Sequence, residues 1–400
     1  MASLTPQLVS QWPAATARAL TELAPVLGAG VGRCLSSRCR VRAQPLQGTQ
    51  SHAVASTRAI HHQYCRRAQA TRTTRGAISL SPPNHYPMQI PPLGAQNYTT
   101  IPTPTTEPDI TPVFEPVTGT WQYLIADPST LTAAIVDPVL DYHPPTRSIT
   151  TATADALLDL IKSKSYTITW ILETHAHADH LTAASYLRKR LAESQPHPPT
   201  IGIGSRIPQI QSLFGRRYSL PESEYTPLVF DHLFSDDEVF PISETLSAKA
   251  LHLPGHTPDH MGYQIGDNVF CGDSLFNADI GTARCDFPGG DATQLYASAR
   301  RLLALPENVK IWTGHDYPDG TREPQPYMTV AEHRRLNRHV RDGIAEGEFV
   351  KMRGERDRGL AAPRLLHQSL QMNVRGGKLP RKTEFGDRLW HLPVKVEKEW

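Results

Sequence analysis

The chain has 400 residues, 39% of them hydrophobic, with 41 Lys and Arg against 39 Asp and Glu and a formal net charge of +2. That length can bury a substantial core, and so even a balance of charge points away from nucleic-acid and membrane-surface partners. No run of about 18 apolar residues is present, which argues against a membrane span.

Residues 1–90 stand apart. They hold ten Arg, no Lys and a single acidic residue, Glu22, among many Ala, Ser, Thr and Gln. An Arg-rich, Ser-rich, acid-poor segment has the composition of an organellar transit peptide. The expected address is the mitochondrial matrix; a disordered basic tail or a misplaced gene start is the alternative. Cys34, Cys39 and Cys65 fall in this stretch, which leaves Cys271 and Cys285 for the body. Two cysteines do not make a disulfide framework and fit a reducing compartment. The Pro-rich "SLSPPNHYPMQIPPL" leads into an extended linker, set at residues 91–112.

The folded body is expected from Val113 to about residue 335. "FEPVTGTWQYLIAD" and "TAAIVDPVLDY" read as strands separated by a turn at Asp127, Pro128 and Ser129. "TADALLDLIKSKS" has helical spacing with Thr153 as its cap. "YTITWILETH" is β-branched and aromatic, hence a buried strand. "LTAASYLRKRLAES" returns to a helical period. "SAKALHLPGH" and "MGYQIGDNVFCGDSLF" read as strands, "ATQLYASARRLLAL" as a helix, "VKIWTGHDY" as a strand and "VAEHRRLNRHVRDGI" as a helix. This alternation gives an α/β fold with two sheets or one large mixed sheet. Residues 336–400 form a C-terminal extension that packs on the body and either closes a pocket or makes a homodimer contact.

Four strand-like segments end in polar clusters: "ETHAHADH" at 173–180, "LPGHTPDH" at 253–260, "CGDSLF" at 271–276 and "TGHDY" at 313–317. Core packing does not explain four such endings. Neutral imidazole is the commonest metal ligand, and residues two apart on a strand point the same way. His175 and His177 therefore share a face, with Asp179 and His180 on the turn beyond. His256, Asp273 and His315 are the candidate ligands from distant loops. Gly255, Gly272 and Gly314 each precede one of them and let the backbone bend close to the site. His52, His61, His62, His232, His367 and His391 are read as ordinary surface or core residues. His252 and His260 are left open as groups that orient a ligand. Asp137 either holds the site from behind or is a plain turn residue.

At these residues the chain resembles the metallo-β-lactamase superfamily. The matching elements are Thr174–His180 in the pattern T-H-x-H-x-D-H, then Gly255–His256, Gly272–Asp273 and Gly314–His315. The resemblance implies a four-layer αββα sandwich with the metal site at one edge of its two sheets. Within it, "GDSLFNADIGTARCDFPGG" and "HDY" are similar to the persulfide dioxygenase branch, in which an Arg-x-Asp-Phe element follows the aspartate; here that element is Arg284, Asp286 and Phe287. That branch implies one Fe(2+) per chain held by His175, His256 and Asp273. His177, Asp179, His180 and His315 would lie beside the iron without ligating it.

The implied reaction converts glutathione persulfide, O2 and water to glutathione and sulfite. Arg284 would grip a substrate carboxylate and Tyr317 would hydrogen-bond the peptide portion. The glyoxalase II-like hydrolases share the same residues and imply the alternative, a Zn(2+) pair. There His175, His177 and His256 hold one metal, Asp179, His180 and His315 hold the other, and Asp273 lies between. "NADIGTARCDF" is longer than the approach to the arginine in animal members of the dioxygenase branch, and the C-terminal part exceeds that of compact members.

Overall fold

The computed structural model describes residues 107–226, 229–318 and 320–400. The targeting expectation for residues 1–90 and most of the expected linker lie outside them. The elements run β1 (Asp109–Glu115), β2 (Thr120–Asp127), β3 (Thr132–Val136), β4 (Val139–His143), β5 (Ser148–Thr150), α1 (Ala152–Ser163), β6 (Thr167–Leu172), β7 (Leu181–Thr182), α2 (Ala184–Ala192), β8 (Thr200–Gly204), α3 (Ile207–Arg217), β9 (His232–Phe234), β10 (Val239–Pro241), β11 (Ser247–His252), β12 (Met261–Ile265), β13 (Asn268–Phe270), α4 (Ala292–Leu303), β14 (Lys310–Trp312), β15 (Tyr327–Thr329), α5 (Val330–Leu336), α6 (Glu346–Asp357) and α7 (Leu366–Asn373).

Two six-stranded sheets result, in the orders β1-β2-β3-β6-β8-β9 and β10-β11-β12-β13-β14-β15, with a small third sheet β5-β4-β7. Side-chain alternation assigns the layers. In β2, Leu124 and Ala126 face one core while Tyr123 and Ile125 face another. In β3, Ala133 and Ile135 join the first, Ala134 and Val136 the second. The second core lies between the sheets, where Phe240, Tyr263, Phe270 and Trp312 of the other sheet meet it. The first is covered by α1, α2 and α3 through Leu157, Leu187 and Phe214. Val269 and Ile311, on the far face of the second sheet, pack under Leu295, Ala299 and Leu302 of α4 and Phe349 of α6. The order is helix, sheet, sheet, helix: the expected four-layer αββα sandwich. Each fully buried Leu, Ile or Phe in these cores contributes about 1.5–3 kcal/mol relative to exposure.

Five local expectations change, the first being that "FEPVTGTWQYLIAD", expected as one strand, holds the end of β1 and all of β2 with a turn at 116–119. The body begins at Asp109 rather than Val113, inside the expected linker. Pro112 sits on the edge strand β1, where a missing N–H costs little. The "TAAIVDPVLDY" run is two strands, broken at Asp137, which adopts φ 49°. At α1 the cap position is Thr151; Thr153 instead donates its N–H and Oγ1 to Asp141 at 3.0 and 2.6 Å. The helix expected over 330–344 stops at Leu336. Asn337 turns extended and donates its amide to the carbonyls of Phe276 and Gly281 at 3.3 and 3.1 Å.

Candidate metal centre

The candidate ligands stand on loops leaving β6, β11, β13 and β14, which backbone hydrogen bonds tie together. Met261 N–H donates to Thr174 O at 2.7 Å, Gly314 N–H to Gly272 O at 2.8 Å, and Trp121 N–H to Gly314 O at 2.9 Å. Glycine is required where these loops touch. Gly255 has φ 138°, and a Cβ there would lie 2.3 Å from the backbone of Leu295 in α4. Gly272 has φ 49°, and a Cβ there would lie 2.6 Å from Thr174 Oγ1. Both conformations belong to the region that favours glycine.

All seven residues come together. His175, His256 and Asp273 form one group and His177, Asp179, His180 and His315 another; in each, one donor atom per residue lies within 4.8 Å of the others. His256 Nε2 is 3.6 Å, and His175 Nε2 4.0 Å, from Asp273 Oδ2. Hydrogen bonding orients the rings. His256 Nδ1 lies 2.7 Å from Arg284 O, which marks Nδ1 as the protonated nitrogen and leaves the Nε2 lone pair free. His260 Nε2 accepts from Asp273 N–H at 3.0 Å, and its ring stacks on His175 with centroids 4.8 Å apart. His260 thus orients the site; His252 hydrogen-bonds the Pro258 carbonyl at 3.0 Å.

Burial holds the His175 imidazole well below its usual pKa, reinforced by His177 and His260, so the ring stays neutral. His177 goes the other way: burial opposes its charge, but Asp137 and Glu173 outweigh it. His177 Nε2 contacts Asp137 Oδ1 at 3.0 Å and Glu173 Oε2 at 3.4 Å. Asp137 also accepts from Thr174 N–H and Oγ1, each at 2.8 Å, so it holds the site from behind. Asp179 Oδ2 lies 3.2 Å from both His180 Nδ1 and His315 Nε2.

Four buried atoms of this constellation have no hydrogen-bond partner: His175 Nε2, His177 Nδ1, His180 Nε2 and Asp273 Oδ1. An orphaned buried polar atom is costly unless something fills its coordination. Imidazole nitrogens and a carboxylate oxygen suit iron and zinc alike. The residues therefore fit a metal ion.

A cavity of about 400 Å³ opens on His256, Asp273 and Asp179. Arg284 and Tyr317 both line it. The Arg284 guanidinium is held by Asp286 through two bonds of 2.5 and 2.6 Å and donates to Ala361 O at 2.7 Å. Tyr317 is 52% exposed, and its ring stacks on His315 with centroids 5.6 Å apart and planes 8° apart. The C-terminal extension contributes Arg353, Arg356 and Arg364 to the wall. Sequence reasoning did not single out these arginines, nor Glu173 or Asn373. Glu173 carried a weak signal, an acid placed between an apolar strand and the Thr-His pair. Asn373 carried none; the arginines lie in "KMRGERDRGLAAPRLL", a stretch similar to fungal and bacterial relatives of the dioxygenase branch.

Residues 116–315 match the metallo-beta-lactamase superfamily. The chain is 39% identical over 287 residues to the "Beta-lactamase hydrolase-like protein" of Xylella fastidiosa, an alignment covering 72% of this chain and 65% of that protein. It thus spans less than two thirds of that relative's length. It is 41% identical over 293 residues to "Glyoxylase B2" of Dictyostelium discoideum, covering 73% of this chain and 98% of that one. It is 30% identical over 268 residues to the human mitochondrial "Persulfide dioxygenase ETHE1", covering 66% and 87%. Among solved structures, ETHE1 from Myxococcus xanthus aligns with a TM-score of 0.54 at 28% identity, covering 68% of this chain and all of that one.

Proposed function

We propose that this chain, which belongs to the metallo-β-lactamase superfamily, is a persulfide dioxygenase using one iron held by His175, His256 and Asp273. The observation that carries the reading is that His175, His256 and Asp273 bring one donor atom each within 4.8 Å of one another, with His175 Nε2 making no hydrogen bond, although Asp273 Oδ1 also lies 3.5 Å from His315 Nε2. Asp179 is engaged by His180 and His315 at 3.2 Å each. Two imidazoles and one carboxylate on one face leave coordination positions open, as in non-haem iron oxygenases. Similarity to human persulfide dioxygenase and to the Myxococcus xanthus structure supports the same reading.

Glutathione persulfide, dioxygen and water would give glutathione and sulfite. The outer sulfur is oxidised and dioxygen is reduced; two sulfite oxygens come from dioxygen and the third from water. Bound iron would supply the redox partner for dioxygen and a binding point for the sulfur. The protein supplies the rest. The Arg284 carbonyl fixes the His256 ring, and His260 steadies His175 and Asp273. Val117, Ala178, Phe276 and Ile280 give the cavity an apolar wall near the reacting sulfur. Tyr317, which lines the cavity and is 52% exposed, would hydrogen-bond a peptide group. The test is oxygen uptake with sulfite formation on adding glutathione persulfide to the iron-loaded protein.

A second reading is favoured by one observation. His177 Nδ1 and His180 Nε2 are also without partners, and the second donor group is complete. A zinc pair there would serve a glyoxalase II-like thioester hydrolase, the reading that similarity to "Glyoxylase B2" supports. Hydrolysis of S-lactoylglutathione without oxygen uptake would select it.

A further inference from the structure

Three arginines of the C-terminal extension line the cavity beside the trio. Arg353, Arg356 and Arg364 face the same space as His256 and Asp273. Their circumstances differ. Arg353 is 1% exposed, paired with Asp357, and donates to Thr282 O at 3.2 Å. Asp357 in turn accepts from Cys285 N–H at 2.8 Å. This buried network pins α6 against the loop that carries Arg284. Arg284 itself is engaged by Asp286 and reaches Ala361 O, so it acts as a strut under the segment that delivers Arg364.

Arg356 and Arg364 are left. Among the described residues, neither has a carboxylate within ion-pair distance, while Arg284 and Arg353 each have one. Among the described residues the hydrogen-bond partner of the Arg356 guanidinium is His339 Nε2 at 3.4 Å, with Asp357 close enough to act on its charge but not to pair with it. Partial burial, then the Arg353 and Arg338 charges, holds Arg356 below the usual arginine range. Two unpaired guanidinium groups on the wall of a cavity invite an anion, and the planar fork matches a carboxylate bidentately.

We infer that Arg356 and Arg364 form the subsite for a carboxylate of the thiol that carries the reacting sulfur, in the same cavity that His256 and Asp273 line. The inference rests on the site binding a glutathione-type thiol, common to both readings above, and not on which reaction follows. It moves carboxylate recognition from Arg284 to the C-terminal extension. It also gives that extension a reason to exist: a small thiol without a carboxylate gains nothing from this wall.

Calorimetric titration of the metal-loaded full chain tests it without turnover. The probes are S-methylglutathione and its diethyl ester, which lacks both carboxylates. The native protein should bind the acid at least about tenfold more tightly than the ester, the scale of one charge-assisted contact. Arg356→Gln with Arg364→Gln should erase that preference, and Arg356→Lys with Arg364→Lys should keep part of it. Both arginines are exposed, so the fold is not at stake. Equal binding of acid and ester by the native protein, or a preference that survives in the Gln pair, overturns the inference. So does displacement of S-methylglutathione by equimolar sulfate, which would mark a general anion site. Failure of oxygen uptake with glutathione persulfide would defeat the dioxygenase reading and leave these titrations unchanged.

Discussion

Asn373 Nδ2 donates to the backbone carbonyl of His177 at 2.8 Å, across 196 positions of chain. The same amide reaches the carbonyl of His180 at 2.9 Å, and its Oδ1 accepts from Thr182 N–H at 2.9 Å. The last helix of the protein therefore clamps the turn that presents four of the seven candidate ligands. Asn373→Ala would leave two carbonyls and an N–H buried and unpaired, at roughly 1–3 kcal/mol each. The expected outcome is a lower melting temperature together with weaker metal retention, read by thermal denaturation and by metal content after desalting. Retention equal to the native protein would show that the turn holds its shape unaided.

The two donor groups separate under mutation. His256→Ala removes a member of the trio and should abolish iron binding, whereas His180→Ala should weaken it less. Metal content of the two variants, purified side by side, reads the difference. Equal losses would mean that the groups act as one two-metal centre.

Asp137 serves Thr174 and His177 from behind the site and occupies a left-handed conformation that asparagine also tolerates. Asp137→Asn keeps the backbone and removes the charge and one acceptor. Metal affinity should fall about 10- to 100-fold, the usual effect of losing a group that orients a ligand. Competition against a chelator measures it. A change below about twofold would make Asp137 a structural turn residue only.

His339 sets an acid limit on stability. It is buried and accepts from Thr282 N–H at 3.0 Å. Burial and the nearby Arg353 and Arg356 charges bring its pKa down from 6.5 to about 3. The unfolded chain binds this proton near pH 6.5 and the folded one only near pH 3. The contribution to stability is full above the upper value and is lost as pH falls through that window, by at most about 1.4 kcal/mol per unit. His339→Gln keeps an acceptor for Thr282 without the titration. Urea midpoints measured at pH 7 and pH 5 should differ less in the variant than in the native protein, His333 and other buried histidines retaining their share; an unaltered difference would assign the acid sensitivity elsewhere.

The ligands were legible because the chemistry concentrates them: four strand ends each carry His or Asp beside glycine or another ligand, a pattern that apolar packing does not generate. An α/β fold was legible from the alternation of strand-like and helix-like segments, and the sandwich from the resemblance carried by the ligand motifs; β2, buried on both faces, is a continuous apolar run that does not itself reveal two packed sheets. The rest depends on partners far along the chain. Asn337 ends a helix that its own neighbours favour, because the carbonyls of Phe276 and Gly281 need a donor. Asn373 is one polar residue in a helix until the turn it clamps is known. Arg284 reads as a free cation until Asp286 is seen to hold it, although their spacing of two residues was visible. The unpaired state of Arg356 and Arg364 is a property of the folded cavity alone.

Metal analysis of the full chain, purified from cells without added metal, bears most directly on the trio of His175, His256 and Asp273. The account requires about one iron per chain and little zinc. Two zinc ions per chain, retained through desalting, would contradict it.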